Sequence, residues 1–61
     1  MKGRNYNEVS NNLYMGGWKC SDSETGWSRF YKRDMSTNTM EILEISYDDN
    51  DTITGVYKTS Y

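Results

Sequence analysis

Cys20 is the single cysteine of this chain, and histidine is absent. That pair of facts limits how 61 residues can be held together. A domain this small buries a modest fraction of its surface and usually needs a disulfide, a metal or a second copy for support. One cysteine closes no intrachain disulfide, and a lone thiol suits a reducing cytoplasm. One cysteine with scattered carboxylates does not make a zinc site. Oligomerisation is the support that remains, so a single domain in a homodimer is the expectation.

Charge is unevenly spread. Residues 1–33 sum to +3 and residues 34–61 to −5, within a net charge of −2. An acidic half of this kind attracts a basic partner. Nine aromatic residues (Trp18, Trp27, Phe30 and six Tyr) argue against disorder and suit an interface. Residues 1–10, "MKGRNYNEVS", have no apolar run behind their basic residues, so they do not read as a signal peptide. No stretch approaches a membrane span, and no membrane partner is expected.

Along the chain, residues 1–11 read as a flexible polar arm and 12–61 as one α+β domain. The segment 12–20 reads as a strand, with Gly16 and Gly17 marking a bulge. The cluster "SDSETG" (21–26) is a turn, and "WSRFYKRD" (27–34) is the second strand. On that strand Trp27, Arg29, Tyr31 and Arg33 share one face, and Ser28, Phe30, Lys32 and Asp34 the other. "DDND" (48–51) is a turn, and 52–61 is a final strand.

Between them lies 36–47. Neither strand face of 40–47 is cleanly apolar: Met40, Ile42, Glu44 and Ser46 would share one, and Glu41, Leu43, Ile45 and Tyr47 the other. Ser36 is a good N-cap, and Met35 with Met40 fits a hydrophobic staple. A short helix is therefore expected over 36–47, although β-branched Thr37 and Thr39 weaken it. On that helix Met40, Leu43 and Tyr47 fall on one side and Ile42 and Ile45 on the opposite one. Glu41, Glu44 and Asp48 form an acidic stripe between the two sides. One apolar side would cover the sheet; the other would pack on a second copy about a twofold axis. The expected fold is a three-stranded antiparallel sheet with one helix, in the order strand–strand–helix–strand, dimerised through that helix.

Catalytic sets are missing from the sequence. Without histidine there is no Ser-His or Cys-His pair. No phosphate-binding glycine loop is present. Asp48–Asp51 lack the Gly and the distal Glu of a calcium loop and read as a solvated turn. Cys20 reads as a small buried residue. Arg29, Lys32 and Arg33 interleave with Trp27, Phe30 and Tyr31 as in single-strand binders, but an isoelectric point near 4.8 weighs against nucleic acid as the main partner. A binding protein without a cofactor is expected rather than an enzyme.

"YKRDMSTNTMEIL" (31–43) resembles the central segment of the small uracil-DNA glycosylase inhibitors of protein-primed Bacillus bacteriophages. The matching pattern is an aromatic (Tyr31), two basic residues (Lys32, Arg33), a small residue (Asp34), Met35 at an aliphatic position and Ser36. Three variable positions, a large apolar residue (Met40), Glu41 and two aliphatics follow. The resemblance covers about 40 residues, with strong identity confined to this segment. It implies a homodimeric DNA mimic acting on the host's uracil-DNA glycosylase in the cytoplasm of an infected bacterium. In that family two helices form an apolar pocket for the enzyme's protruding loop residue, and flanking carboxylates meet its basic groove. Met40 takes the place of a pocket-lining aromatic and Glu41 matches the neighbouring acid. Glu44 stands where the family has a tyrosine, and the family's second-strand acid is replaced near Phe30. The expected partner-binding residues are Met40, Glu41, Leu43, Glu44, Tyr47 and Asp48, with further partner or dimer contacts from Phe30, Tyr31 and Met35. Two alternatives stand beside this one. The first is an inhibitor of another host DNA-processing or defence enzyme. The second is a single-strand-binding module using Trp27, Arg29, Phe30 and Arg33.

Overall fold

The stretch expected to be a polar arm contains a helix. In the computed structural model, which describes residues 2–61, α1 runs over Tyr6–Met15. Asn5 caps it by accepting a hydrogen bond from the Glu8 amide at 3.1 Å, which satisfies one orphan donor of the first turn. Its apolar positions Tyr6, Val9 and Leu13 fall on one side, and Val9 and Leu13 are buried. The helix stops at the glycine pair. The Trp18 amide returns to the Leu13 carbonyl at 2.9 Å and the Gly17 amide to that of Tyr14 at 3.1 Å. Gly17 has φ +93°, a conformation that suits glycine in this helix-ending motif. Gly16 and Gly17 are thus a helix stop rather than a strand bulge, and the expected strand over 12–20 begins only at Lys19.

Four strands follow: β1 (Lys19–Glu24), β2 (Trp27–Asp34), β3 (Thr39–Tyr47) and β4 (Ile53–Ser60). They form one antiparallel meander in the order β1-β2-β3-β4. The expected three-stranded sheet with a helix between its second and third strands is therefore incorrect. Residues 39–47 pair in unbroken register with β2 from Trp27↔Ser46 to Asp34↔Thr39, and with β4 on the other side. A helix there would break both ladders, and with it goes the proposed dimer through that helix. The apolar residues that suggested a double-faced helix belong to a central strand with apolar neighbours on both faces of the sheet.

Helix α1 lies on one face. Beneath it are Phe30, Ile45 and Ile53, each at most 1% exposed, and Leu43 at 4%. Burying side chains of this size contributes about 1.5–3 kcal/mol each. Tyr6 stacks on Tyr47 with ring centroids 4.0 Å apart, and Tyr14 meets Phe30 edge-on at 5.6 Å. The buried Ser28 hydroxyl accepts from Tyr6 Oη at 2.6 Å. Burial pushes the Tyr6 phenol above its ordinary pKa, an effect partly opposed by the Ser28 hydrogen bond.

The turns have local causes. Gly26, with φ +80°, closes the two-residue β1–β2 turn; a Cβ there would press to 3.2 Å from the Tyr47 carbonyl. Asn38 and Asp51 adopt positive φ of 55° and 59° in the β2–β3 and β3–β4 turns, a region these short polar side chains tolerate. The molecule is elongated, 37 × 19 × 17 Å.

Candidate functional site

Strand parity separates the residues expected to meet a partner. Leu43 and Phe30 lie in the core beneath α1. Glu41 shares their side of the sheet and pairs with Lys58 at 3.5 Å. Tyr47 is on that side too, stacked on Tyr6. Met40, Glu44 and Tyr31 lie on the opposite, uncovered face, because Met40 pairs with Arg33, Glu44 with Arg29 and Tyr31 with Ile42. Met35 is 82% exposed in the β2–β3 turn. Asp48 sits in the β3–β4 turn, where its Oδ1 accepts from the amides of Asn50 and Thr52 at 2.9 and 3.0 Å. The acidic stripe expected from a helix is therefore split, with Glu41 and Glu44 on opposite faces. Cys20 is exposed rather than buried.

The structure assembles two other surfaces. The first is an acidic end. Antiparallel order puts the β1–β2 and β3–β4 turns side by side, tied by the Tyr47 amide donating to the Gly26 carbonyl at 2.9 Å. The first turn of α1 joins them, since the Tyr6 amide donates to the Asp51 carbonyl at 2.6 Å and Asn7 Nδ2 to Asp51 Oδ2 at 3.3 Å. Glu24, Asp48, Asp49 and Asp51 lie at this end, with Glu8, Asp22 and Glu44 close to it along their elements. Lys19, Lys32, Arg33 and Lys58 lie toward the opposite end. This separation along the strands is not the division of the sequence into halves: Glu8, Asp22 and Glu24 come from the basic half, and Asp34 and Glu41 of the acidic half lie toward the other end. Two of the acids have duties inside the turn: Asp48 bonds the turn amides, and Asp51 adopts the positive-φ position. Glu24 and Asp49 carry no side-chain hydrogen bond or ion pair among the described residues.

The second surface is the uncovered face of the sheet. Trp27, Arg29, Tyr31 and Arg33 share it, as their spacing on a strand requires, and β3 and β4 add Met40, Ile42, Glu44 and Tyr57. Arg29 reaches Glu44 at 3.5 Å and lies 5.1 Å from the centroid of the Trp27 ring. Phe30 is fully buried on the other side, which removes it from the four residues suggested for stacking on single strands. Across the molecule, a shallow cleft of about 300 Å³ runs between α1 and the sheet, lined by Arg4, Val9, Asn12, Leu13, Gly16, Trp18 and Lys32. None of the expected partner-binding residues lines it.

Among the described residues, no group of three or more His, Cys, Asp or Glu is placed to hold a metal ion, and no helix is long and apolar enough to cross a membrane. Comparison with family models, curated proteins and solved structures finds no match for this chain.

Proposed function

We propose that this protein is a stoichiometric inhibitor that occupies the DNA-binding groove of a host DNA-processing enzyme, with uracil-DNA glycosylase the first target to test. The observation that supports it is the acidic end. Two turns and a helix start, distant in sequence, converge to present Glu24, Asp48, Asp49 and Asp51 together. Carboxylates held at the tip of a stiff sheet can stand in for phosphates in a groove lined by Lys and Arg. The reading differs from the sequence expectation in its site. Carboxylates at the end of a four-stranded sheet replace an apolar pocket between two helices, and Asp48 is the expected residue that remains in place.

The test is a uracil-excision assay on a uracil-containing oligonucleotide, with a bacterial glycosylase titrated by this protein. Inhibition is expected to saturate at a fixed stoichiometry, and Asp49→Lys to weaken it at least about tenfold, as like charges at an interface do. Asp49 sits in an exposed turn, so the variant should keep its circular dichroism spectrum. Absence of inhibition at large excess of folded protein overturns the glycosylase assignment. A host pull-down that recovers a nuclease or polymerase through wild type, and not through Asp49→Lys, would then identify another enzyme docked at the same end. Retention of single-stranded oligonucleotide by the protein itself, through Trp27, Arg29 and Arg33, would replace the inhibitor reading altogether.

A further inference from the structure

The uncovered sheet face carries a charge pattern that is complementary to itself. Lys19 pairs with Tyr31 and Arg33 with Met40, which places both cations on this face toward the β2–β3 turn. Asp22 pairs with Arg29 and Glu24 with Trp27, which places both acids on the same face toward the β1–β2 turn. Between these ends lie Tyr31 and Ile42, both half-buried, Tyr57, 64% exposed, and the Arg29–Glu44 pair, while half-buried Trp27 and Met40 stand level with the acids and the cations respectively. The face thus carries aromatic and apolar side chains around one internal ion pair, and is positive at one end and negative at the other. Arg29 and Glu44 are already paired with each other, so covering them leaves neither charge stranded.

We propose that two copies of this chain pack through these faces about a twofold axis that runs across the strands. That operator reverses the strand direction between copies. It sets Lys19 and Arg33 of one copy over Glu24, Asp22 and Trp27 of the other, twice. An axis along the strands would instead set like ends together and is disfavoured by repulsion. A sheet four strands wide and eight residues long offers about 500 Å² per copy in plan, from strand spacing and rise. Two such faces reach about 1,000 Å², the lower bound for a specific interface. The result is a four-layer particle, helix–sheet–sheet–helix, with the two sheets about 10 Å apart. The dimer leaves Asp48, Asp49 and Asp51 free in a turn beyond the paired faces, whereas Glu24, Met40 and Glu44 lie on the face that the second copy covers.

Sedimentation equilibrium tests it. The wild type is expected at twice the chain mass of 7.2 kDa. Tyr57→Glu, at an exposed position that the fold does not need, should sediment as a monomer with an unchanged circular dichroism spectrum. Arg33→Glu and Glu24→Arg should each weaken self-association at least about tenfold, because each places like charges in contact at both ends. Mixing those two variants should restore a dimer, since every cross-contact is again of opposite sign. A wild type that stays monomeric at hundreds of micromolar overturns the proposal. So does a dimer indifferent to Tyr57→Glu, or single charge variants that associate as tightly as wild type.

Discussion

Tyr6 shows how much can rest on one side chain. Its ring stacks on Tyr47, and its hydroxyl donates to the fully buried Ser28, which also lies 3.3 Å from the Ser23 hydroxyl. This contact joins the helix to the second strand and adds a partner to the buried Ser28 hydroxyl beside that of Ser23. Tyr6→Phe keeps the ring and removes the donor, so a loss of about 0.5–1.5 kcal/mol is expected by urea denaturation. The pH dependence has a definite sign. The folded pKa of Tyr6 lies above its unfolded value. Its contribution is therefore complete below the unfolded pKa of about 10 and is lost as pH rises through the folded one. The stability gap between wild type and Tyr6→Phe should shrink above about pH 10. A gap that is constant across that range would show that the hydroxyl is not the coupled group. Asp34 is shifted the other way: hydrogen bonds from the Ser36 hydroxyl and amide hold its carboxyl below the usual range. The pair Asp34–Ser36 therefore shapes the β2–β3 turn, and Ser36 is not the helix cap that its sequence position suggested.

At the level of elements, the hairpins were legible and the helix was not. The second strand with its two faces, the "DDND" turn and the final strand stand where the sequence places them, whereas of the expected turn 21–26 only Thr25 and Gly26 turn, because Ser21–Glu24 pair with β2 as part of β1. Glycine and short polar residues mark turns for steric reasons that act locally, so they can be read locally. The segment 39–47 could not be read that way. It is a central strand, and its even positions Met40 and Ile42 face one side while Leu43 and Ile45 face the other. Apolar residues on both faces erase the alternation that marks a strand, and an amphipathic helix then fits the same string. Helix α1 hides for the opposite reason. It buries only Val9, Ser10 and Leu13, and its other large apolar side chains, Tyr14 and Met15, are exposed. Its signals were the Asn5 cap with Glu8 three residues on, and the glycine pair at its end. Because so few residues attach it, each one counts: Leu13→Ala should cost about 2–5 kcal/mol in chemical denaturation. A change below about 1 kcal/mol would mean that the helix is not part of the cooperative unit. The edge strand β1 is guarded by its own composition. All its residues are exposed, several are charged, and the register shifts between Cys20 and Asp22, which discourages strand addition at that edge.

For the whole molecule, the long axis is also the axis of charge. Seven of the nine acids lie toward one end and four of the seven bases toward the other. Such a body turns in the field of a basic partner before it touches it, so its capture should be fast at low salt. If the acidic end docks a DNA-binding groove, the association rate should fall steeply as ionic strength rises from about 50 to 300 mM, while the dissociation rate changes little. Stopped-flow mixing with the glycosylase measures both. An association rate insensitive to salt would place the contact on the neutral, aromatic face instead. The candidate site was thus half legible: acidity was visible in composition, but its location needed the meander, which brings together turns 24 residues apart in the numbering.

The bonds that anchor the helix start to the β3–β4 turn also govern when the chain can fold. Gly3 donates to the Ile53 carbonyl and the Ile53 amide to that of Arg4, both at 2.8 Å. Successive hairpins of a meander form between neighbours and can assemble as the polypeptide leaves the ribosome. Residues 3–6, by contrast, take their backbone partners from residues 51–53, so that anchoring waits for the β3–β4 turn and the start of β4. A helix of ten residues is marginal alone in water. Residues 6–15 therefore owe their helix to the sheet on which Val9 and Leu13 are buried rather than to their own propensity.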